Sequence, residues 1–384
     1  MTVEEILAKL VSFPILGGES NLTIIHWIKE YIESLGVSVT LLPNAEGTKA
    51  CLHCRIGPAV DGGVILSGHT DVVPVEGQEW TTDPFVLTDR NNGKLYGRGS
   101  CDMKGFVACC LATLPAMIKA DLKKPIYFAF SYDEEIGCLA GEALAKEINT
   151  FYNETPKYAI IGEPSLMEPI VGQKGIYIIE TYVNGSAGHS SRIKQEVSAI
   201  HEAMRLMLWL ENKMNQLIED KRLDNRFHPP HSSIHIGQIQ GGIAPNIIAD
   251  KAHFYWDLRI IPMDDVASII AEYEAYCKER EEALRDIFPE FTIKNIENHP
   301  PVPYLDTDDT ADVVDLIKKI SGNSKLNTVA YASEAGQFAN EGFQTVICGP
   351  GSIAQAHRAN EFISKEELKK GMTMLSSLIN ELSD

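Results

Sequence analysis

The sequence has few positive charges and no long apolar run, and its cysteines follow no regular spacing. It has 34 Lys and Arg residues against 53 Asp and Glu residues, which gives a formal net charge of −19. Nucleic acids and anionic membrane surfaces bind through clustered cationic side chains, so neither is an expected partner. No apolar run approaches the ~20 residues that cross a bilayer. We therefore expect a soluble protein whose partners are small molecules.

Eight cysteines are scattered over the chain without the spacing of a disulfide framework. In a chain of this length, unpaired thiols are typical of the reducing cytoplasm. The N-terminal MTVEEILAKL has helical spacing and no cationic start, so we predict a helix there rather than an export signal. A cytoplasmic protein is therefore expected. Cys51 and Cys54 form a CxxC, but no second pair follows at zinc-ribbon spacing, so we interpret the segment as part of a strand.

The first 175 residues alternate helical patterns with short apolar runs. Runs at 64–67, 126–131 and 158–161 are apolar on both faces, which is typical of buried strands in an α/β sheet. Asn21 can cap the second of the predicted helices, and Gly36 can end it. The predicted helices of this segment cover 3–12, 22–35, 105–119 and 141–148.

The pattern changes near residue 176, where strands and helices follow the order β-α-β-β-α-β of a ferredoxin-like sandwich. This α+β segment is predicted to be a domain inserted at 176–294. The residues after it resemble the first segment, so 1–175 and 295–384 are predicted to form one discontinuous α/β domain. The predicted elements beyond residue 175 are strands over 176–183, 233–240, 251–260, 291–298 and 345–348 and helices over 197–214, 264–285, 310–320 and 364–382.

A histidine and an aspartate, His69 and Asp71, directly follow the first buried run in SGHTDVVP. In open α/β sheets, ligands bind at the carboxyl ends of the strands. His69 could bind a metal through one ring nitrogen while Asp71 orients the ring. A polar turn that closes a strand is the alternative interpretation of this motif taken alone.

Two further acidic motifs follow. Asp102 lies in GRGSCDMKG, where glycines allow a sharp bend before a helix. The glycine spacing matches neither a P-loop nor a dinucleotide fingerprint, so phosphate binding is not expected. Residues 133–135 are three adjacent carboxylates after the apolar run 126–131. A solvated acidic turn is the alternative here, but burial of these charges would require cations.

Two more candidate ligands follow strand patterns nearer the C-terminus. Glu163 follows the run 158–161 in IGEPS, and His357 follows the predicted strand 345–348 in GPGSIAQAH. Chance can supply one or two residues of this kind at strand ends, but hardly a full set. The candidate metal ligands are His69, Asp102, Glu135, Glu163 and His357.

These donors predict a centre of two divalent metal ions. Two nitrogen and three oxygen donors suit zinc or another transition ion better than calcium, and are too many for one open catalytic zinc. Two ions that share Asp102 would use them all. Two divalent cations and three carboxylates leave one positive charge, so a metal-bridged hydroxide is the expected nucleophile. Glu134 is left over beside a ligand, and we predict that it is the general base and acid.

The motifs SGHTDVVP, GRGSCDMKG, YDEEIGC, GEPS and GPGSIAQAH resemble, in the same order, those of the dinuclear-zinc deacylase and carboxypeptidase family. The resemblance covers nearly the whole chain. It implies a zinc-peptidase-like α/β catalytic domain and two ions, zinc or cobalt. One ion would be held by His69, Asp102 and Glu163, and the other by Asp102, Glu135 and His357.

The same resemblance assigns further features of the catalytic domain. It implies that Asp71 lies beside His69, that Glu134 is the catalytic base, and that a cis peptide follows Asp102.

Within the family, YASEAG at 331–336 and GPGSIAQAHRANEF are most similar to the branch that deacetylates N2-acetyl-L-ornithine in arginine biosynthesis. The resemblance thus implies this activity, and Glu334 could pair with the cationic tail of the substrate. A carboxylate at a helix start is an equally good interpretation of Glu334. A succinyl-diaminopimelate desuccinylase, a general aminoacylase and a dipeptidase are alternatives, and a non-catalytic binding module is an alternative of another class.

The inserted segment carries three polar residues to which the resemblance assigns roles. His189 would stabilise the oxyanion that forms at the acyl carbonyl, as a hydrogen-bond donor does beside a developing negative charge. Asn246 and Arg259 would hold the substrate carboxylate, which a guanidinium binds with two hydrogen bonds. The inserted domain would act as a lid and pair with its twin in a homodimer, in which His189 could serve the neighbouring subunit.

Overall fold

The computed structural model describes residues 1–383, which fold as two compact units. The larger unit comprises Met1–Gln173, Leu305–Thr328 and Ser333–Asp384. The smaller unit comprises Lys174–Tyr304 and Val329–Ala332. The chain therefore leaves the larger unit after Gln173 and returns to it later, as expected for an inserted domain.

The smaller unit ends at Tyr304 rather than at the predicted boundary of 294, because hydrogen bonds hold this stretch to its sheet. Strand Thr292–Glu297 pairs with strand Gly175–Asn184. Beyond it, the N–H of Val302 donates to the carbonyl of Ile176 over 3.0 Å, and the reverse bond measures 2.8 Å.

Nine α-helices and eighteen strands are present among residues 1–383. The helices are α1 Val3–Val11, α2 Leu22–Ser34, α3 Lys104–Lys119, α4 Gly141–Phe151, α5 Ala199–Glu219, α6 Val266–Leu284, α7 Asp312–Ser321, α8 Ala335–Asn340 and α9 Lys365–Glu381. The strands are β1 Val39–Pro43, β2 Ala50–Ile56, β3 Val64–His69, β4 Thr88–Asp89, β5 Lys94–Tyr96, β6 Ile126–Ser131, β7 Tyr158–Pro164, β8 Ile170–Gln173, β9 Gly175–Asn184, β10 Gly188–His189, β11 Ser233–Gly241, β12 Ile247–Ile248, β13 Lys251–Ile260, β14 Thr292–Glu297, β15 Leu305–Asp306, β16 Asn327–Val329, β17 Gln344–Gly349 and β18 Phe362–Ser364. None of the helices within 1–383 is long and apolar enough to cross a membrane.

The larger unit contains a mixed sheet with the strand order β1-β2-β6-β3-β7-β17-β8-β15. Its four central strands, β6, β3, β7 and β17, are parallel to their neighbours within this set. The flanking strands β2 and β8 run antiparallel to β6 and β17. Parallel neighbours end at the same edge of a sheet, so the loops after these central strands share one rim.

The central strands are buried because helices supply apolar side chains to one core with them. Strands β3 and β6 are buried along their whole length. Their core includes Phe128 of β6, Ile6 of α1, Leu114 of α3, Ile317 of α7 and Leu375 of α9. Strands covered in this way have continuous apolar sequences rather than alternating ones, which explains the runs seen in the sequence.

The smaller unit is an antiparallel sheet with the strand order β11-β13-β9-β14, and α5 and α6 share its core. Along β13, the side chains of Phe254, Trp256 and Leu258 are buried in alternation with half-buried ones. They form one core with Leu206 of α5 and Tyr273 of α6. The order β9-α5-β11-β13-α6-β14 confirms the predicted ferredoxin-like arrangement.

Candidate metal centre

Three neighbouring parallel strands bring His69, Glu134 and Glu163 together at one rim of the larger sheet. His69 ends β3, Glu163 lies near the end of β7, and Glu134 follows β6. His69 pairs in register with Ser131, the last residue of β6. The Nε2 atom of His69 lies 3.9 Å from Glu163 Oε1 and 4.0 Å from Glu134 Oε2. The predicted proximity of these strand ends is therefore present.

The carboxylate of Asp102 lies between two imidazoles. Its Oδ1 is 3.3 Å from His69 Nε2, and its Oδ2 is 3.3 Å from His357 Nε2. His357 Nε2 is also 3.0 Å from Glu135 Oε2. A cis peptide joins Asp102 to Met103, as the family resemblance implied. One carboxylate therefore reaches both histidines, which is the arrangement that a shared ligand requires.

The five predicted ligands and Glu134 form one cluster in the larger unit. Single ligand atoms of His69, Asp102 and Glu135 all lie within 4.8 Å of one another, and those of His69, Glu134 and Glu163 do the same. His69 is only 1% exposed. Glu134 thus lies as close to the imidazole as Glu163 does, so proximity alone does not separate a base from a ligand.

Burial and mutual charge perturb the pKa values of the cluster. Burial raises the pKa of Glu134 and of Glu163 well above the usual value. Burial opposes protonation of His69, but the carboxylates of Asp102 and Asp71 hold its pKa well above the usual range. Hydrogen bonds to Asp102 and Glu135 raise the pKa of His357 to about 10.

These residues fit a divalent cation. Four carboxylates and two imidazoles are gathered with nitrogen–oxygen distances of 3.0 to 4.0 Å between them, and most of them are shielded from water. A cation between them relieves the repulsion among the carboxylates, which otherwise must share protons with the imidazoles. Mixed nitrogen and oxygen donors suit zinc and its transition-metal neighbours. The donor set is therefore chemically suited to metal.

Asp71 supports both His69 and the acidic loop. The Nδ1 of His69 lies 3.0 Å from the Asp71 carbonyl oxygen, to which it can donate, and 3.5 Å from Asp71 Oδ1. The two carboxylate oxygens of Asp71 accept hydrogen bonds from the N–H groups of Glu134 at 3.3 Å and Glu135 at 3.1 Å. Asp71 is thus placed to orient a ring and a loop at the same time.

Glu334 is buried at the start of α8 in the larger unit. Burial raises its pKa to about 7, and the hydroxyl of Ser131 and the ring of His69 partly offset that effect. Its position at a helix start agrees with the structural alternative for this residue. The predicted contact with a substrate tail stays a prediction.

His189, Asn246 and Arg259 all belong to the smaller unit. His189 and Asn246 lie near each other, and Arg259 lies apart from them. His189 is exposed, and its Nδ1 accepts a hydrogen bond from the N–H of Ser191. The carbonyl of Asn246 accepts a hydrogen bond over 3.0 Å from the N–H of Ser190, the residue that follows His189. Arg259 lies near the far end of β13, and its Nε donates to Asp257 Oδ2 over 2.8 Å.

The separation of these groups follows from strand length. The segment before β10, the strand that carries His189, lies beside the start of β13, because the N–H of Gly185 donates to the carbonyl of Asp250. Eight residues of extended strand separate Lys251 from Arg259, which corresponds to roughly 26 Å. A single smaller unit therefore does not bring the predicted carboxylate ligands Asn246 and Arg259 to one point.

Arg98 and Glu361 are residues near the centre that the sequence reasoning did not single out. They form a buried ion pair with an N–O distance of 2.8 Å. Each lies in a motif that carries a predicted ligand, GRGSCD with Asp102 and HRANEF with His357. A charged residue inside such a motif was the available signal, but its partner lies 263 positions away along the chain.

Together, the parallel strand ends, the buried cluster and the inserted ferredoxin-like unit define an α/β protein with a candidate metal centre in a discontinuous unit. The chain belongs to the peptidase family M20/M25/M40, whose family profile matches residues 65–381. The predicted membership of the deacylase and carboxypeptidase family and the predicted hydrolase class are therefore confirmed.

Curated relatives of the chain align over nearly its whole length. An acetylornithine deacetylase of Pectobacterium carotovorum is 34% identical, with 94% of this chain and 91% of that protein covered. An acetylornithine deacetylase of Shigella sonnei is 31% identical, with 98% and 96% covered.

Solved structures of the family share the fold. A metallo-carboxypeptidase of Sulfolobus solfataricus superposes with a TM-score of 0.77 at 18% identity, and the two chains are fully covered. A tripeptidase of Staphylococcus aureus has a TM-score of 0.75 at 21% identity, with 99% of this chain and 98% of that chain covered. These likenesses confirm the predicted fold class.

Proposed function

We propose that the protein hydrolyses N2-acetyl-L-ornithine to ornithine and acetate, a step of arginine biosynthesis, in the cytoplasm. The acetylornithine deacetylases at 31–34% identity support this choice of substrate. The observation that carries the hydrolytic chemistry is the position of Asp102 between the imidazoles of His69 and His357, 3.3 Å from each. All eight cysteines are free thiols, which suits the cytoplasm.

The proposed cofactor is a pair of divalent ions. Zinc is the proposed metal, and cobalt is the alternative. His69, Asp102 and Glu163 would hold one ion, and Asp102, Glu135 and His357 the other. When bound, such ions supply an acidified water and polarise the acyl carbonyl. The donor chemistry supports this assignment, because a shared carboxylate lets five side chains serve two cations.

Residues of the chain handle the proton and the geometry. Glu134 takes a proton from the water whose oxygen bonds to the acyl carbon, and delivers it to the amine nitrogen as the amide bond breaks. Asp71 keeps the ring of His69 oriented, and its carboxylate accepts a hydrogen bond from the N–H of Glu134 over 3.3 Å. The burial of the cluster restricts access of bulk water, which strengthens every electrostatic contact within it.

We further propose a homodimer formed through the smaller unit, which would also act as a lid. His189 of one subunit would donate to the developing oxyanion in its partner's site, and Asn246 would bind the substrate carboxylate there. Arg259 of the other subunit would complete the carboxylate site. The roughly 26 Å of β13 between Lys251, which lies on the Asn246 side, and Arg259 supports a contribution from two copies.

Exposed apolar side chains on the smaller unit support the same interface. Met204 and Leu208 on α5 are 56% and 54% exposed, and Ile239 on β11 is 47% exposed. Strand β11 is also an edge strand, with backbone groups available to another chain. Met204 and Leu208 line one groove with Ile236 of β11, and contiguous apolar surface of this kind is typical of interfaces between proteins.

A substrate panel tests the choice of substrate. We expect kcat/KM for N-acetylornithine to exceed that for N-acetylalanine, N-succinyl-diaminopimelate and dipeptides by at least about tenfold, which is ~1.4 kcal/mol of transition-state binding. Equal rates with N-acetylalanine would indicate a general aminoacylase, and preference for the succinyl compound would indicate a desuccinylase.

We also propose that the Glu334 carboxylate pairs with the cationic tail of the substrate. Glu334→Gln should then reduce the preference for the ornithine side chain.

Metal analysis of the purified protein accompanies the panel. About two ions per chain with turnover supports the proposal. About two ions per chain without turnover of any amide would favour the non-catalytic binding module. Less than one ion per chain in fully active protein would reject the dinuclear centre.

A further inference from the structure

The carboxylate of Glu361 accepts hydrogen bonds from the loop that carries Asp102. Its Oε1 accepts from the N–H groups of Cys101 at 2.8 Å and Asp102 at 3.1 Å. Its Oε2 accepts from the N–H of Gly99 at 3.0 Å and from Arg98 Nη1 at 2.8 Å. Both oxygens are therefore occupied by two donors each, and the side chain is only 1% exposed.

Arg98 extends this network to two other loops. Its Nη2 donates to Gln78 Oε1 over 2.6 Å and to the carbonyl of Pro74 over 3.3 Å. The amide of Gln78 in turn donates to the carbonyl of His357 over 3.1 Å. The network therefore joins the loop after β3, the loop before α3 and the segment of His357.

The Asp102 loop is a segment that requires such support. Gly99 has a φ of 79°, a backbone conformation that glycine adopts easily and other residues rarely do. Four consecutive positions, 99 to 102, precede the first turn of α3, and three of their N–H groups bond to the Glu361 carboxylate. Without that acceptor, these buried donors would lack their partner.

We infer that Glu361 is a positioning residue that, with Arg98, fixes the Asp102 and His357 loops at the spacing at which the two side chains hold a common cation. This inference rests on the proposed function. Residues that orient metal ligands in this way typically change metal affinity by 10–100-fold when they are replaced. The carboxylate of Glu361 is bonded to backbone N–H groups and to the Arg98 guanidinium, so it does not take part in the chemistry.

Glu361→Gln is the variant of choice because it keeps the shape of the side chain. An amide has one acceptor oxygen and one donor group, so it cannot accept hydrogen bonds at both positions. The matched control is Glu154→Gln. Glu154 is also buried, and its Oε1 accepts from Arg55 Nη1 at 2.5 Å and from Tyr127 Oη at 3.1 Å. That pair lies beside the start of β6, away from the rim that carries the metal ligands.

The test is a titration of the full chain, stripped of metal, with Zn²⁺ in competition with a chromophoric chelator. Circular dichroism and thermal unfolding check the fold of each variant. We expect Glu361→Gln to bind Zn²⁺ 10–100-fold more weakly and to change the absorption spectrum of bound Co²⁺. Glu154→Gln should bind within about twofold of the unaltered chain.

Wild-type Zn²⁺ affinity in folded Glu361→Gln would overturn the inference, and so would an equal loss in both variants, which would indicate a general effect of a broken ion pair. If Glu361→Gln does not fold, Gln78→Ala tests the same network and leaves the buried Arg98–Glu361 ion pair intact. It should weaken Zn²⁺ binding about threefold or more, and unchanged affinity would overturn the inference. Failure of the unaltered chain to bind Zn²⁺ would instead reject the proposed function itself.

Discussion

Glu134 and Glu163 lie at nearly equal distances from the His69 imidazole, 4.0 and 3.9 Å, so distance does not distinguish the base proposed at Glu134 from the ligand proposed at Glu163. Glu163 is part of strand β7, whose backbone is fixed by the sheet. Glu134 belongs to a loop after β6, and its N–H donates a hydrogen bond to the carboxylate of Asp71. A ligand must stay on the cation, whereas a carboxylate that moves a proton must stay free of the cation to reach the water and the amine nitrogen.

The matched pair Glu134→Gln and Glu163→Gln tests this difference. We expect Glu134→Gln to keep about two ions per chain but to lose roughly 10²–10⁴-fold in kcat, the usual contribution of a general base. Glu163→Gln should instead lower metal affinity. Metal content measured beside kcat separates the two outcomes. Loss of metal from Glu134→Gln would reassign it as a ligand, and retained activity would remove it from the mechanism.

His53 couples the stability of the larger unit to pH. It is fully buried on β2, and its Nδ1 lies 2.9 Å from the hydroxyl of Tyr152. Burial lowers the pKa of His53 from 6.5 to about 4, because the charged ring would lose its hydration. Between those two pH values the unfolded chain binds more protons than the folded one. The free energy of unfolding therefore decreases as the pH falls from about 6.5 to about 4.

Replacement of His53 by Asn removes the titrating ring and keeps a polar atom near Tyr152. At pH 7 the variant should be less stable, because the smaller side chain leaves a cavity. The stability gap should narrow by about 2 kcal/mol at pH 4.5, since one pKa unit corresponds to about 1.4 kcal/mol. Urea unfolding at both pH values measures the gap. A constant gap would show that His53 does not contribute to the acid sensitivity.

At the scale of elements, sequence pattern predicted best where burial decides the structure. The predicted strands 126–131 and 251–260 have the same bounds as β6 and β13. Asn21 shows where local pattern was insufficient. It was expected to cap α2, but its side chain makes no capping hydrogen bond. Its amide instead donates to the carbonyl of Ala50 and accepts from the N–H of the same residue, a tertiary contact that no local rule indicates.

In the candidate metal centre too, sequence pattern indicated the positions set by strand ends but not those set by tertiary contacts. Strand ends located His69 and Glu163, because the rim of a parallel sheet is where ligands gather. The support by Glu361 depends on a contact with Arg98 across 263 positions, and sequence spacing carries no information about such a contact. The separation of Asn246 from Arg259 likewise depends on the register and length of β13, which motif resemblance does not contain.

The close approach of β7 and β17 positions Glu163, and Gly349 makes it possible. A Cβ atom at Gly349 would lie 2.0 Å from the carbonyl oxygen of Gly162 and 2.7 Å from that of Glu163. Gly349→Ala should therefore push the strands apart, destabilise the protein by about 1–3 kcal/mol and weaken metal binding. Gly237→Ala on β11, where the nearest atom would be 3.8 Å away, is the control and should change stability by less than about 1 kcal/mol. Urea unfolding and Zn²⁺ titration measure both effects, and a stable Gly349→Ala with native metal affinity would contradict this account.

At the scale of the whole molecule, the proposed dimer makes the active site depend on two chains. The net charge of −19 disfavours association of two copies, so apolar contact must supply the attraction. In the proposed dimer, the exposed Met204 and Leu208 on α5 and Ile239 on the edge strand β11 would provide this contact. Leu208→Glu should convert the dimer to monomer in sedimentation velocity with an unchanged circular dichroism spectrum. Ile296→Glu, on the opposite edge strand β14, is the matched control and should remain dimeric.

Mixing two inactive variants tests whether the site is shared. In the proposed dimer, each site uses its own Arg259 and the partner's His189. His189→Ala and Arg259→Ala should each be nearly inactive alone. A heterodimer of the two has one site with both residues intact and one site with neither. If subunits exchange at random, half of the dimers are mixed and half of their sites work, so activity should return to roughly a quarter of the unaltered level. A control mixture of His189→Ala with His189→Gln should recover nothing. If both residues served the site of their own chain, every site in every mixture would lack one of them, and the activity would stay at the level of the single variants.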